Sequence, residues 1–318
     1  MNTAHPAPPF DVEVAAALAF IQPDLLGTVT PEGIKELRAR PTIPLEEILT
    51  GRSIVHREET IRGRHGDLVL SIFQRVDHQP SGPGIFTIHG GGMILGDRFA
   101  GIEKVLDWVD CLDAVAVSIE YRLAPEYPDP VPVEDCYDGL LWMAENAHQL
   151  GFSPEALVIV GASAGGGLAA GAALLARDSG SPQLAAQMLL CPMLDDRAAT
   201  VSSRQIEVAT WDSESNDTGW SSLLGDRRGT DDVSIYAAPA RATDLSGLPP
   251  TFIDVGSSDL FRDEDVAYAS TLWASGGQCE LHVWAGGCHG YEVHAPLAGV
   301  SIATQDARLS WLKRILGL

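Results

Sequence analysis

Gly161-Ala162-Ser163-Ala164-Gly165 follows a short apolar run rich in β-branched residues and leads directly into a helical pattern. A serine on a strained strand-to-helix turn needs small neighbours, so that the backbone can bend tightly and Oγ can project. Ser163 is therefore the candidate nucleophile. The same glycines admit a rival reading, because Gly165-Gly166-Gly167-Leu168-Ala169-Ala170 matches the G-x-G-x-x-A variant of a dinucleotide-binding turn. That turn needs an acid about 20 residues on to bind a ribose, and nothing acidic stands between Asp178 and Asp195. No cofactor is expected.

Acyl transfer also needs donors for the negative oxygen of a tetrahedral intermediate. In His89-Gly90-Gly91-Gly92 three successive glycines let the main chain approach a ligand and aim bare N–H groups at it. The N–H groups of Gly91, Gly92 and Ala164 form the expected oxyanion hole, with the dipole of the helix behind Ser163 adding to it. A hydroxyl is a poor nucleophile at neutral pH, so it needs a histidine base, and the histidine needs an acid to fix its tautomer. His289, in Gly287-Cys288-His289-Gly290-Tyr291, follows the last predicted strand; His282, within that strand, and His294, farther past its end, are the alternatives. Asp259 directly follows the seventh predicted strand and is the candidate acid, with Asp254 and Asp263 as substitutes. Asp259 would also suit a helix N-cap ahead of Asp263 and Glu264. The chain order Ser, Asp, His is that of an α/β-hydrolase sheet.

These residues need strands to hold them. From about residue 52 onward, short apolar β-rich runs alternate with longer helix-like segments, which builds a mostly parallel sheet covered on both faces. Eight strands are predicted at 52–58, 68–75, 84–88, 115–119, 157–160, 187–191, 251–255 and 279–284, the first two pairing antiparallel across a short link. Helices with an apolar face are predicted at 98–111, 133–149, 164–177, 263–274 and 302–315. Two regions break the alternation. Residues 1–50 read as short helices interrupted by Pro23, Pro31, Pro41 and Pro44, and 196–235 is polar with two isolated tryptophans, Trp211 and Trp220. A large ring without a periodic core face gains most by covering a pocket, so both are candidate substrate-binding residues.

Composition narrows the function classes. Of 318 residues 45% are hydrophobic and 20% charged, which suits a globular chain with one large core. With 21 Lys+Arg against 43 Asp+Glu the net charge is −22, which repels phosphate backbones and anionic membranes, so a neutral or cationic small molecule is the expected partner. A homodimer is compatible with this composition. Five scattered cysteines without a C-x-x-C pair suggest neither a disulfide framework nor a metal site and point to a reducing cytoplasm. Residues 1–20 lack the basic start and apolar run of a signal peptide. The 21 uncharged residues 156–176 contain a G-x-x-x-G spacing, yet their glycines and strand-like start predict a buried strand and helix rather than a membrane span.

Taken together, His89-Gly90-Gly91-Gly92, Tyr121-Arg122-Leu123-Ala124-Pro125-Glu126, Gly161-Ala162-Ser163-Ala164-Gly165-Gly166, Asp259-Leu260-Phe261-Arg262-Asp263-Glu264 and His289-Gly290 resemble the signature set of bacterial hormone-sensitive-lipase-type carboxylesterases. The segment Asp232-Val233-Ser234-Ile235-Tyr236-Ala237-Ala238-Pro239 is similar to the bacterial heroin esterase branch. The resemblance implies an α/β-hydrolase fold and a cofactor-free serine esterase acting on short acyl chains. It implies a core formed by 51–195 and 236–318, a small helical cap formed by 1–50 and 196–235, and a structural role for 121–126 with a cis Ala124-Pro125 bond. Ala162 stands where the family usually has an acid, and Leu260 where it usually has a proline. An amide or formamide hydrolase could use the same groups. The family also resembles plant gibberellin receptors, which lost the catalytic histidine, whereas this chain keeps His289.

Overall fold

The computed structural model describes residues 6–20, 27–205 and 210–318; Pro23 and parts of both expected cap segments lie outside the described residues. Eight strands are present: β1 (Ile54–Gly63), β2 (Gly66–Arg75), β3 (Gly82–Ile88), β4 (Val115–Glu120), β5 (Phe152–Ala162), β6 (Ala186–Leu190), β7 (Thr251–Gly256) and β8 (Cys279–Trp284). They form one sheet in the order β1-β2-β4-β3-β5-β6-β7-β8. β2 runs antiparallel to both β1 and β4, and the remaining pairs are parallel. The hairpin between β1 and β2 is tight, its register closing at Gly63 opposite Gly66.

The helices are α1 (Val12–Leu18), α2 (Ile34–Arg38), α3 (Leu45–Ile48), α4 (Ile102–Leu112), α5 (Val131–Glu145), α6 (Ala147–Leu150), α7 (Ala164–Ser179), α8 (Ser202–Gln205), α9 (Ser213–Leu224), α10 (Arg262–Ala274), α11 (Tyr291–His294) and α12 (Gly299–Leu316). Alternate residues of each central strand feed opposite apolar clusters, as the two-residue strand period requires. Phe86, Leu157, Ile159 and Ile253 pack with α5, α7 and α10, whereas Ile85, Val158, Val160 and Phe252 pack with α4 and α12. A sheet buried on both faces explains why β3 is apolar or small throughout and wholly buried.

Three departures from the sequence pattern have local causes. α4 starts at Ile102 rather than residue 98, because Gly101 takes a left-handed conformation and Arg98 turns back to pair with Glu58 and Glu120. The helix expected over 133–149 divides at Asn146, whose side-chain amide donates to the Trp142 carbonyl. α9 falls in the polar stretch that carried no helical signal, since its buried face includes Ser215, Asn216, Thr218 and Gly219 beside Trp220. Residues 156–176 form the end of β5 and most of α7, and among the described residues no helix is long and apolar enough to cross a membrane.

Candidate active site

Ser163 joins β5 to α7 with φ 56° and ψ −122°. Its own N–H donates to the Leu190 carbonyl at 2.8 Å and its carbonyl accepts from Met193 N–H at 2.9 Å, so the turn is clamped to the end of β6. The flanking glycines are required by contact: a Cβ on Gly161 would lie 2.0 Å from the Gly165 carbonyl oxygen, and one on Gly165 2.1 Å from that of Ile88. The small residues of the motif thus let strand, turn and helix close on one another.

His289, on the loop after β8, spans the gap between two other strand ends. Its Nε2 lies 2.9 Å from Ser163 Oγ and its Nδ1 2.8 Å from Asp259 Oδ2. The second oxygen of Asp259 accepts the Phe261 N–H at 2.9 Å, so one carboxylate both shapes the start of α10 and orients the imidazole. The Phe261 ring meets that imidazole edge-on at 5.2 Å. Burial pulls the pKa of His289 down, but the charge and hydrogen bond of Asp259, with Glu292 beyond, outweigh it and hold the imidazole above its ordinary value. Three of the alternatives are engaged elsewhere. His282 pairs with Glu280, Asp254 with Arg308, and Asp263 with Arg262 and the Ser202 N–H.

Beside the serine, Gly91 and Gly92 take φ of 110° and 62°. The N–H groups of Gly91, Gly92 and Ala164 have no acceptor among the described residues, so all three are free to donate to a ligand. The loop is braced from behind. Tyr121 donates its hydroxyl to the His89 carbonyl at 3.1 Å and stacks on the His89 ring at 4.3 Å, and Ala124 N–H donates to the Met93 carbonyl at 2.9 Å. The Ala124-Pro125 bond in this brace is cis. Arg38 of α2, which carried no motif, adds a clip: it donates to the carbonyls of Ile94 at 2.8 Å and Ala124 at 2.6 Å and pairs with Glu126.

The two tryptophans are separated by the fold. Trp220 is wholly buried in the main core. Trp211 lies against the glycine loop, where a Cβ on Gly92 would lie 2.3 Å from its Cη2. Its neighbour Thr210 donates a hydroxyl hydrogen bond to the His289 carbonyl, and Asp212 accepts from Thr28 at 2.5 Å. Three consecutive residues therefore touch the histidine loop, the glycine loop and the N-terminal segment. Nothing in the sequence marked Thr210. The sulfur of Cys191 lies within 4.8 Å of the ligating atoms of Asp259 and His289, but burial pushes its thiol pKa far above the ordinary value, so it stays protonated beside them. A surface cleft of about 490 Å³ lies behind the braced loop, lined by Arg38, Glu120, Tyr121, Arg122 and Tyr127 among others, and includes none of Ser163, His289 or Asp259.

A mostly parallel sheet in which β5, β7 and β8 each present one such group beyond their carboxyl ends defines the α/β-hydrolase class. Residues 85–293 match the protein family described as alpha/beta hydrolase fold. The chain is 34% identical over 237 residues to carboxylesterase NlhH of Mycobacterium tuberculosis, covering 74% of each protein. Among solved structures it is similar to a bacterial heroin esterase, with 34% identity, a TM-score of 0.87 and coverage of 96% of this chain and 98% of that one. A thermostable esterase from Pseudomonas putida is 27% identical with a TM-score of 0.84, covering 99% of this chain and 100% of that one. The chain belongs to the alpha/beta-hydrolase family and, within it, to the hormone-sensitive-lipase-type carboxylesterases.

Proposed function

We propose that this carboxylic ester hydrolase cleaves short-chain or acetyl esters of small molecules through an acyl-enzyme on Ser163. The observation that carries the reading is His289 bridging Ser163 and Asp259 at 2.9 and 2.8 Å. His289 Nε2 takes the Ser163 proton as Oγ attacks the carbonyl carbon, and the oxygen that becomes negative is held by the N–H groups of Gly91, Gly92 and Ala164. Collapse breaks the bond to the alcohol, which leaves with the proton from His289. Water then attacks the acyl carbon, again losing its proton to His289, and the acid departs. Asp259 keeps the proton on Nδ1 and offsets the imidazolium charge.

In this reading 51–195 and 236–318 form the core, and 1–50 with 196–235 form the cap. The bonds from Thr210 to His289 and from Asp212 to Thr28 support that division. Trp211 walls the pocket beside Gly92, which favours short acyl groups, while Trp220 anchors the cap to the core. Five free thiols support a reducing cytoplasm. A fluorophosphonate probe tests the mechanism. It should attach to Ser163, and Ser163→Ala should lose about four to six powers of ten in turnover of chromogenic esters while remaining folded. A probe found on another residue, with activity surviving in that variant, would overturn it.

A further inference from the structure

Behind His289 lies a buried charge network that the acyl-enzyme mechanism does not use. Arg308 of α12 donates two parallel bonds to Asp254 of β7, at 2.7 and 2.9 Å, and a third to Glu292 Oε1 of α11 at 2.9 Å. The three side chains are 3%, 2% and 9% exposed. Two carboxylates thus share one guanidinium, leaving an excess negative charge in the interior. That excess has a location. Both oxygens of Asp254 are used by Arg308, whereas Glu292 Oε2 is buried without a partner among the described residues. An unneutralised interior carboxylate is costly unless a positive charge comes to it, and the group three residues away that becomes positive during the reaction is the His289 imidazole.

We propose that Glu292 is a positioning residue that, held by Arg308, stabilises the His289 imidazolium through space, in addition to Asp259. This rests on His289 being the general base. The groups facing the imidazole are Asp259 from the loop after β7, the Cys191 thiol at the end of β6, and Glu292 and His294 on α11, with Arg308 and Asp254 one layer behind. Of these, only Asp259 and Glu292 add negative charge to the surroundings of the ring, Asp259 through a hydrogen bond and Glu292 at longer range. Burial pushes the Glu292 carboxyl up, but Arg308 and the residue's own backbone N–H, with a smaller share from His289, outweigh it and hold the carboxyl below its ordinary value. Burial and the neighbouring His289 both lower the His294 pKa, so it adds no competing cation near neutrality. The geometry of α11 serves the same end, since the Tyr291 hydroxyl bonds Thr304 of α12 and fixes the turn between His289 and Glu292.

The test is the pH profile of kcat/KM for a chromogenic ester, whose acidic limb reports the free base. Glu292→Gln keeps an acceptor for Arg308 but loses the charge. Its acidic limb should move to lower pH by about half to one unit, and its plateau kcat should fall about tenfold with KM within about twofold. Glu292→Asp, which keeps the charge, should return the limb to the parental position. A parental limb in Glu292→Gln, whatever its stability, or the same shift in both variants, overturns the proposal. Should Glu292→Gln fail to fold, Arg308→Lys decides. It keeps the cation but gives up the forked grip, so kcat should fall several-fold with the limb in place, and a parental kcat would overturn the proposal. Turnover surviving in Ser163→Ala would instead sink the acyl-enzyme reading itself.

Discussion

At the scale of single residues, the site works by what each group is prevented from doing. Asp259 has both oxygens committed, one to the Phe261 N–H and one to His289, so it cannot swing away or leave the imidazole in the other tautomer. Asp259→Asn should cost about four powers of ten in kcat, because an amide at that position stabilises the wrong tautomer. Asp263→Asn should do far less, since Asp263 faces Arg262 and Ser202. Steady-state kinetics on both variants check the ranking, and the reverse order would move the acid one turn along α10. The direction of the His289 shift sets a second expectation. The base must be neutral to accept the serine proton, and its pKa is held above 6.5, so kcat/KM should fall with a midpoint above that value as the medium is acidified. Asp259→Asn should slide the residual limb to lower pH, because the main charge that favours the imidazolium has gone.

At the scale of elements, the strand ends and the loops that brace them decide what the residues can do. The glycine loop is shaped by β3 on one side and by 121–126 with Arg38 on the other, and Trp211 lies on its outer surface. Two rings with the same sequence signature therefore have different expected phenotypes. Trp211→Ala should change the ratio of kcat/KM between short and long, or small and bulky, esters by about 1–3 kcal/mol, with Ser163 still labelled by a small inhibitor. Trp220→Ala should leave the ranking of esters alone and cost about 3–5 kcal/mol of stability, as expected when a fully buried indole leaves a cavity. An ester chain-length series and denaturant unfolding of both variants separate these outcomes. Loss of stability alone in the Trp211 variant would assign it to packing.

At the scale of the whole molecule, the closing helix α12 ties the histidine loop to the centre of the sheet. Arg308 reaches Asp254 on β7 and Glu292 on α11 at once, so the last element of the chain secures residues carried by two earlier ones. Arg308→Met removes the shared cation from two buried carboxylates. It should destabilise the fold by about 3–5 kcal/mol, read as a lower urea midpoint with an unchanged slope. Destabilisation below about 1 kcal/mol would mean that water or a rearranged partner satisfies both acids.

The chemistry was largely legible in the sequence because it depends on residues close together in the chain. The serine turn needs glycines two positions either side, the glycine loop needs its own consecutive residues, and strands and helices announce themselves by period. Hence the eight strands, the antiparallel first hairpin, and the candidates Ser163, His289 and Asp259 could be read from spacing and order alone. Choosing between His289 and His282, or between Asp259 and Asp254, required the fold, because Ser163 and His289 lie 126 residues apart and meet only when β5 and β8 take their places in one sheet. The tertiary structure alone revealed Arg38, Thr210 and the Arg308 network. Each acts through a backbone carbonyl or a carboxylate contributed by a distant segment, and no local pattern encodes a contact whose partner is chosen by packing. The helix over Ser213–Leu224 was hidden for the related reason that its buried face is partly polar: Ser215, Asn216 and Thr218 are buried there, Ser215 accepting the Val29 N–H, so hydrophobic periodicity had nothing to register.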